Sequence, residues 1–189
     1  MADTKNSTEN VTAGKPAPAG SVFRAAIGST LPTDASSPLD PAFKCMGYIS
    51  EDGFVNENKI STEPVKAWGG DVVMNNQTEH TDSFKFKMIE ALNEEVLKAV
   101  HNSDNVTGTI SAGLTVTVNG AAKEQACWVC DMILKENVAK RIVIPIGTIT
   151  ELEEIAYKDN ETTGYGVKLS AVPDGDGNTH YEYMKKGTK

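Results

Sequence analysis

Two thiols three positions apart, Cys127-Trp128-Val129-Cys130, form the stretch of this sequence closest to a chemical motif. A redox dithiol or half of a zinc site uses that spacing. The redox use requires the first sulfur where a strand turns into a helix, so that the helix end stabilises its thiolate. Here Ala126, Trp128, Cys130, Met132 and Leu134 alternate as one apolar strand face, which places Cys127 and Cys130 on opposite sides of a sheet. Zinc needs two further ligands, and Cys45, His80, His101 and His180 have no paired spacing. Both thiols read as buried structural cysteines.

Other chemical patterns fail at identifiable positions. Asp174-Gly175-Asp176-Gly177-Asn178 imitates the start of a calcium loop, but Thr179 stands where the loop needs Gly and Lys185 where it needs a bidentate Glu. Asp, Gly and Asn are also what a tight hairpin turn requires, and the stretch reads as one. Glu151 and Glu153 share one face of a strand with Glu154 opposite, a solvated sheet surface rather than an acid/base pair. Gly69-Gly70, in KAWGGDVV, lacks the Lys-Ser/Thr of a phosphate loop, and no G-x-G-x-x-G or G-x-S-x-G occurs. With no catalytic group, metal or cofactor site in view, the sequence points to a structural or interaction protein rather than an enzyme.

The elements that would carry these residues are mostly strands. Residues 1–20 hold one branched aliphatic residue and no aromatic, so they read as a flexible arm ahead of a single β domain over 21–189. Val22–Ile27 and Lys44–Ile49 read as strands on either side of a proline-broken connector, 28–43. Ser50-Glu51-Asp52-Gly53 is a turn, and about 50–80 reads as a long polar loop interrupted only at Asp71–Met74. Segment 82–89 places Phe84, Phe86 and Met88 on one face and Lys85 and Lys87 on the other. The one helix is Glu94–His101: Asn93 caps it, Glu94 and Glu95 open it, Lys98 and His101 close it, and Leu92, Val96 and Val100 form its apolar stripe. Strands are predicted at 106–110, 114–118, 125–134, 138–144, 148–157, 166–172 and 180–184, with Pro145 separating two of them.

Net charge is -8, from 26 acidic and 18 basic side chains in 189 residues, without a run of Lys or Arg. Tight binding to a phosphate backbone is therefore not expected. The sequence contains no apolar run of membrane-spanning length, and its first residues lack the basic-then-apolar pattern of a secretion signal, so folding in a cytoplasm is expected.

Read in order, AGSVFRAAIGSTLPTDASSPLDPAFKCMGYISEDGF, KAWGGDVV and HTDSFKFKMIEALNEEVLKAVHN resemble the N-terminal half of the major tail (tail tube) proteins of long, non-contractile-tailed bacteriophages, over about residues 19–101. The resemblance implies a mainly β, β-sandwich or barrel-like fold with one flanking helix and a long arm and loop. It implies self-assembly into hexameric rings, stacked as a virion tail tube that conducts double-stranded DNA without binding it specifically. Implied partners are a tape measure protein, a tail terminator and baseplate or initiator proteins, with assembly in the host bacterial cytoplasm. Contacts between subunits or rings are then expected at Val22, Phe23, Glu51, Asp52, Gly53, Trp68, Gly69, Gly70 and Asp71, with Trp68 an anchor and the glycines a bend of close backbone approach. Glu151, Glu153, Asp174 and Asp176 are candidates for the lumen, although Lys85 and Lys87 sit badly in a uniformly acidic bore. The alternatives are a single-ring hub or baseplate component, a secretion-system tube, a capsid-decorating or receptor-binding protein, and a Cys/His metal or redox domain.

Overall fold

The structure is a computed structural model describing residues 5–187; residues 1–4 of the expected arm and residues 188–189 lie outside it. In chain order the described residues form β1 (Lys15–Pro16), β2 (Val22–Ala26), β3 (Lys44–Cys45), β4 (Val55–Lys66), β5 (Val72–Met88), α1 (Glu94–His101), β6 (Val106–Thr109), β7 (Gly113–Val116), β8 (Gln125–Leu134), β9 (Val138–Leu152), β10 (Tyr165–Ala171) and β11 (Tyr181–Lys186). The fold is mainly β.

The main sheet runs β3-β2-β8-β9-β10-β5-β4, all antiparallel, with β1 added along β8 and β11 along β9. Alternation in β5, β8 and β10 sends one set of side chains inward. Phe84, Phe86, Met88, Trp128, Cys130, Ile144, Val167 and Leu169 join a single buried cluster. The sheet curls to make this possible: Phe86 on β5 and Trp128 on β8 are separated by two strands, yet their ring centroids are 5.8 Å apart. A flat sheet would hold them about 14 Å apart at ~4.8 Å per strand. The curl is barrel-like, and α1 packs Val96, Leu97, Ala99 and Val100 into the same cluster.

The other face of β2, β8 and β9 is covered by the connector. Ala25, Cys127, Val129 and Val143 pack there beneath Phe43, with Leu31 and Leu39 alongside. Arg141 holds this cover down: its Nε and Nη2 donate to both oxygens of Asp131 at 2.7 and 2.8 Å, and its Nη1 donates to the Asp34 and Ser37 carbonyls at 3.1 and 2.8 Å. The cysteines fall as alternation requires, Cys130 in the curl and Cys127 under the connector.

Helix α1 spans the predicted residues, with the Asn93 side chain accepting from the Glu95 amide at 3.0 Å. Leu92 does not belong to its stripe; it precedes the cap and is 75% exposed. Segment 44–49 is strand only at Lys44–Cys45, because Gly47 (φ 70°) turns the chain before Ile49 bridges Met88. Pro145 does not separate strands. It falls inside β9 where the β8 register slips between Ala126 and Trp128, and between the stretches of β9 paired with β11 and β10, so no ladder bond needs its missing N–H.

Candidate assembly surface

The polar stretch 54–70, expected as loop, is one arm of a hairpin. β4 and β5 pair from Val55↔Lys85 to Lys66↔Val72. Strand β10 accompanies β5 only as far as Asp82, opposite Ala171. From Thr81 to Val72 the hairpin is a bare two-stranded ribbon of roughly ten residues, hence about 33 Å at ~3.3 Å each. Every residue of it is exposed, including Ile60, Val65, Val72, Val73 and Met74. Water on both faces is why no alternating pattern marks it. Among the described residues β4 also ends the sheet, and none of their strands lies beside its outer backbone edge.

The KAWGGDVV stretch forms the tip. The Ala67 amide donates to the Asp71 carbonyl at 2.8 Å and the Gly70 amide to the Ala67 carbonyl at 3.0 Å. Gly69 and Gly70 adopt φ of 124° and 100°, which side-chain-bearing residues resist. A Cβ on either would meet no atom of the described residues within 4 Å, so among them the pair serves turn geometry and not close approach. Trp68 is wholly exposed, and Val72, Val73 and Met74 just beyond the turn are exposed as well.

The remaining expected contact residues lie elsewhere. Glu51, Asp52 and Gly53 form a turn closed by the Gly53 amide on the Ser50 carbonyl at 3.0 Å. This turn borders an open groove of about 1050 Å³ between the 47–54 loop and arm residues 14–21, with Pro16, Pro18, Tyr48 and Glu90 also on its walls. Phe23 packs against the connector side of the sheet. Val22 is 1% exposed and belongs to the subunit's own core.

Of the lumen candidates, Glu151 and Glu153 share a polar face. Cross-strand register sets Thr148 beside Ser170 and Ser170 beside Ser83, and in the next row Glu151 beside Lys168 and Lys168 beside Lys85. Lys168 pairs with Glu151 at 3.1 Å, while Glu57 on β4 takes Lys59 at 2.7 Å and Lys85 at 3.5 Å. The Glu153 side chain lies over Gly166, in the space a Cβ there would need. Asp174 is used within its own turn, accepting from the Asp176 and Asn178 amides at 3.0 Å and from the Tyr181 hydroxyl at 2.7 Å. These bonds, that from Tyr181 first, lower its pKa. Asp176 is exposed in the same turn.

For thiol chemistry the geometry is unfavourable. Burial pushes the Cys130 thiol up to about 12, aided by Asp131, and burial raises Cys127 as well. Among the described residues no group of three His, Cys, Asp or Glu is placed to hold a metal, and no helix is long and apolar enough to cross a membrane.

Sequence reasoning missed a buried polar cluster at the ribbon's root. The Asp82 carboxylate accepts from Asn56, Thr179 and His180. Its members are scattered along the chain, so only the fold brings them together.

The family model of the phage tail tube protein matches residues 3–189. The chain belongs to the phage tail tube protein family. Membership bears out the resemblance read from residues 19–101 and extends it across the strands that follow. As a tail tube family member the chain is a structural component of the virion tail and works with other tail components. No curated protein matches it in sequence. Among solved structures, the cryo-EM structure of the anti-feeding prophage cap (AFP tube terminating cap) is similar at 9% identity, with 98% of this chain and 100% of that chain covered and a TM-score of 0.46.

Proposed function

We propose that the chain self-assembles into hexameric rings that stack as the tail tube, and that the phage's double-stranded DNA passes through the bore. The observation carrying this reading is the bare ribbon. An isolated two-stranded hairpin is marginal in water, and an open, apolar-bearing edge strand invites pairing with another chain. Within a ring and its stacked neighbour, the β4 edge gains a strand and Trp68-Gly69-Gly70-Asp71 gains a surface, so the liability of the free subunit becomes the contact of the assembly. The arm and the turn at Glu51-Asp52-Gly53 border a groove on the body that supplies further contact area.

The polar face of β9, β10, β5 and β4 suits the bore. It presents Ser, Thr and charge in balance rather than a uniformly acidic wall. Lys59 and Lys85 share Glu57 and Lys168 holds Glu151, so a passing phosphate would have to displace a glutamate to bind these lysines. Glu151 and Glu153 are the lumen residues of this proposal. Tape measure, terminator and baseplate or initiator proteins complete the tail, assembled in the host bacterial cytoplasm.

Negative-stain electron microscopy of the purified chain, over a concentration and salt series, tests this beside Trp68→Ser and a variant with the ribbon cut back to Asn58 and Thr81. Hollow tubes with sixfold end views are expected from the native chain, with assembly slowed in Trp68→Ser and abolished by truncation. Rings that never stack would favour the single-ring hub, and tubes from the truncated chain would remove the ribbon from the argument.

A further inference from the structure

We infer that Asp82 is a positioning residue: its buried carboxylate fixes the direction in which the β4–β5 ribbon leaves the body, and so where Trp68 arrives in an assembly. The inference rests on the tube reading above. Asp82 is the outermost β5 residue with a strand on each side, opposite Ala171 on β10 and Asn58 on β4. One residue further, only β4 remains.

Its side chain has no exposure to water, and both oxygens are occupied. Oδ1 accepts from Asn56 Nδ2 at 2.7 Å; Oδ2 accepts from Thr179 Oγ1 at 2.6 Å and is 2.5 Å from His180 Nδ1. These donors belong to different parts of the fold. Asn56 sits on the ribbon's other strand, whereas Thr179 and His180 lead into β11, which is paired along β9. The His180 ring also stands edge-on to Phe84, centroids 5.3 Å apart at 89°. One carboxylate therefore ties both ribbon strands to the body at the point where sheet pairing stops doing so.

Stability alone does not require a charge here, since apolar replacement of buried ionic clusters is often neutral or favourable. What a satisfied polar network adds is direction, because its bonds weaken away from one geometry. Leverage makes direction matter: a turn of about 10° at the root moves the tip of a ~33 Å ribbon by about 6 Å. That exceeds the tolerance of a packed contact.

The test uses the full chain with the half-buried native thiol removed as Cys45→Ser and spin labels on introduced cysteines at Val73→Cys in the ribbon and Val172→Cys on the body, in backgrounds with Asp82→Leu or Thr179→Val. Electron–electron distance distributions report the ribbon's direction, circular dichroism reports folding, and light scattering reports assembly. Both backgrounds are expected to fold, to broaden the distance distribution, and to slow tube formation by roughly tenfold, as when a pre-organised contact must be ordered on binding. A folded variant with a native, narrow distribution, or one with a broad distribution and native assembly, overturns the inference. Should Asp82→Leu fail to fold, Thr179→Val, which removes one donor only, decides alone. Native assembly by the Asp82 variants beside a dead truncated ribbon refutes positioning and leaves the tube reading standing; native assembly by the truncated ribbon refutes the ribbon's role itself.

Discussion

Replacing Arg141 by Met should destabilise the subunit by about 3–5 kcal/mol, the usual result of breaking a buried ion pair from one side. The size follows from what is left behind. The Arg141 side chain is 6% exposed and its partner Asp131 18%, so little solvent screening discounts the loss. The two residues are directly opposed on β8 and β9. Removing the guanidinium strands the carboxylate at the sheet surface and also frees the Asp34 and Ser37 carbonyls, which loosens the connector, with its Phe43, Leu31 and Leu39, from Ala25, Cys127, Val129 and Val143 on the sheet. For a chain of this size each kcal/mol moves Tm by about 2–4 °C, so the midpoint should fall by roughly 6–20 °C. Thermal and urea unfolding followed by circular dichroism measure it, with proteolysis inside 28–43 as a local readout. The double variant Arg141→Met, Asp131→Leu should regain part of the loss, because the stranded charge is gone while the carbonyls remain unpaired. A single-variant cost below about 1 kcal/mol, or a double variant worse than the single, would refute the reasoning.

Acid should loosen the ribbon's root before the core. Burial pushes the Asp82 pKa up, but bonds from Thr179, Asn56 and His180 together outweigh it and hold the group below its ordinary 3.8. A depressed carboxylate stabilises the fold fully above the unfolded value and loses that contribution as pH falls through the folded one. Hydrogen exchange of the 72–81 amides should therefore be insensitive to Asp82 from neutral pH to about 5, then accelerate selectively below 3.8 once intrinsic exchange is divided out. Gly47→Ala should destabilise by about 1–3 kcal/mol through strained backbone and a displaced neighbour. Its Cβ would come within 2.1–2.6 Å of the Glu90 carboxyl group, which accepts from Asn93, the cap of α1. Loss of helical signal ahead of global unfolding is the expected sign, and an unchanged helix would count against it.

Local signals were legible where end caps or strict alternation mark an element. Helix α1 and strand β8 were readable to the residue, the first from its caps and end charges, the second from strict alternation through Trp128, Cys130 and Met132. The ribbon was not, since a strand wet on both faces has no reason to alternate, and Ile60 and Val65 stand alone among polar residues. Pro145 misled because its cost depends on neighbours that only the sheet register supplies. At the candidate surface, the bend expected at Gly69-Gly70 is the hairpin tip, without close backbone approach inside the subunit, and Trp68, expected as an anchor, stands exposed on it. The Asp82 cluster gave no local sign, because Asn56, Asp82 and His180 acquire meaning only when β4, β5 and the approach to β11 converge.

The placement of Cys127 and Cys130 on opposite faces gives the subunit two shielded chemical clocks. A reagent reaches each sulfur only when its own side opens, Cys127 when the connector lifts and Cys130 when the curl parts. Since reaction also needs the thiolate, and both thiols are held protonated, labelling at fixed pH counts rare openings rather than surface chance. A neighbour that clamps the connector would slow the first clock and leave the second running, so one unmodified chain reports which of its faces an assembly has closed.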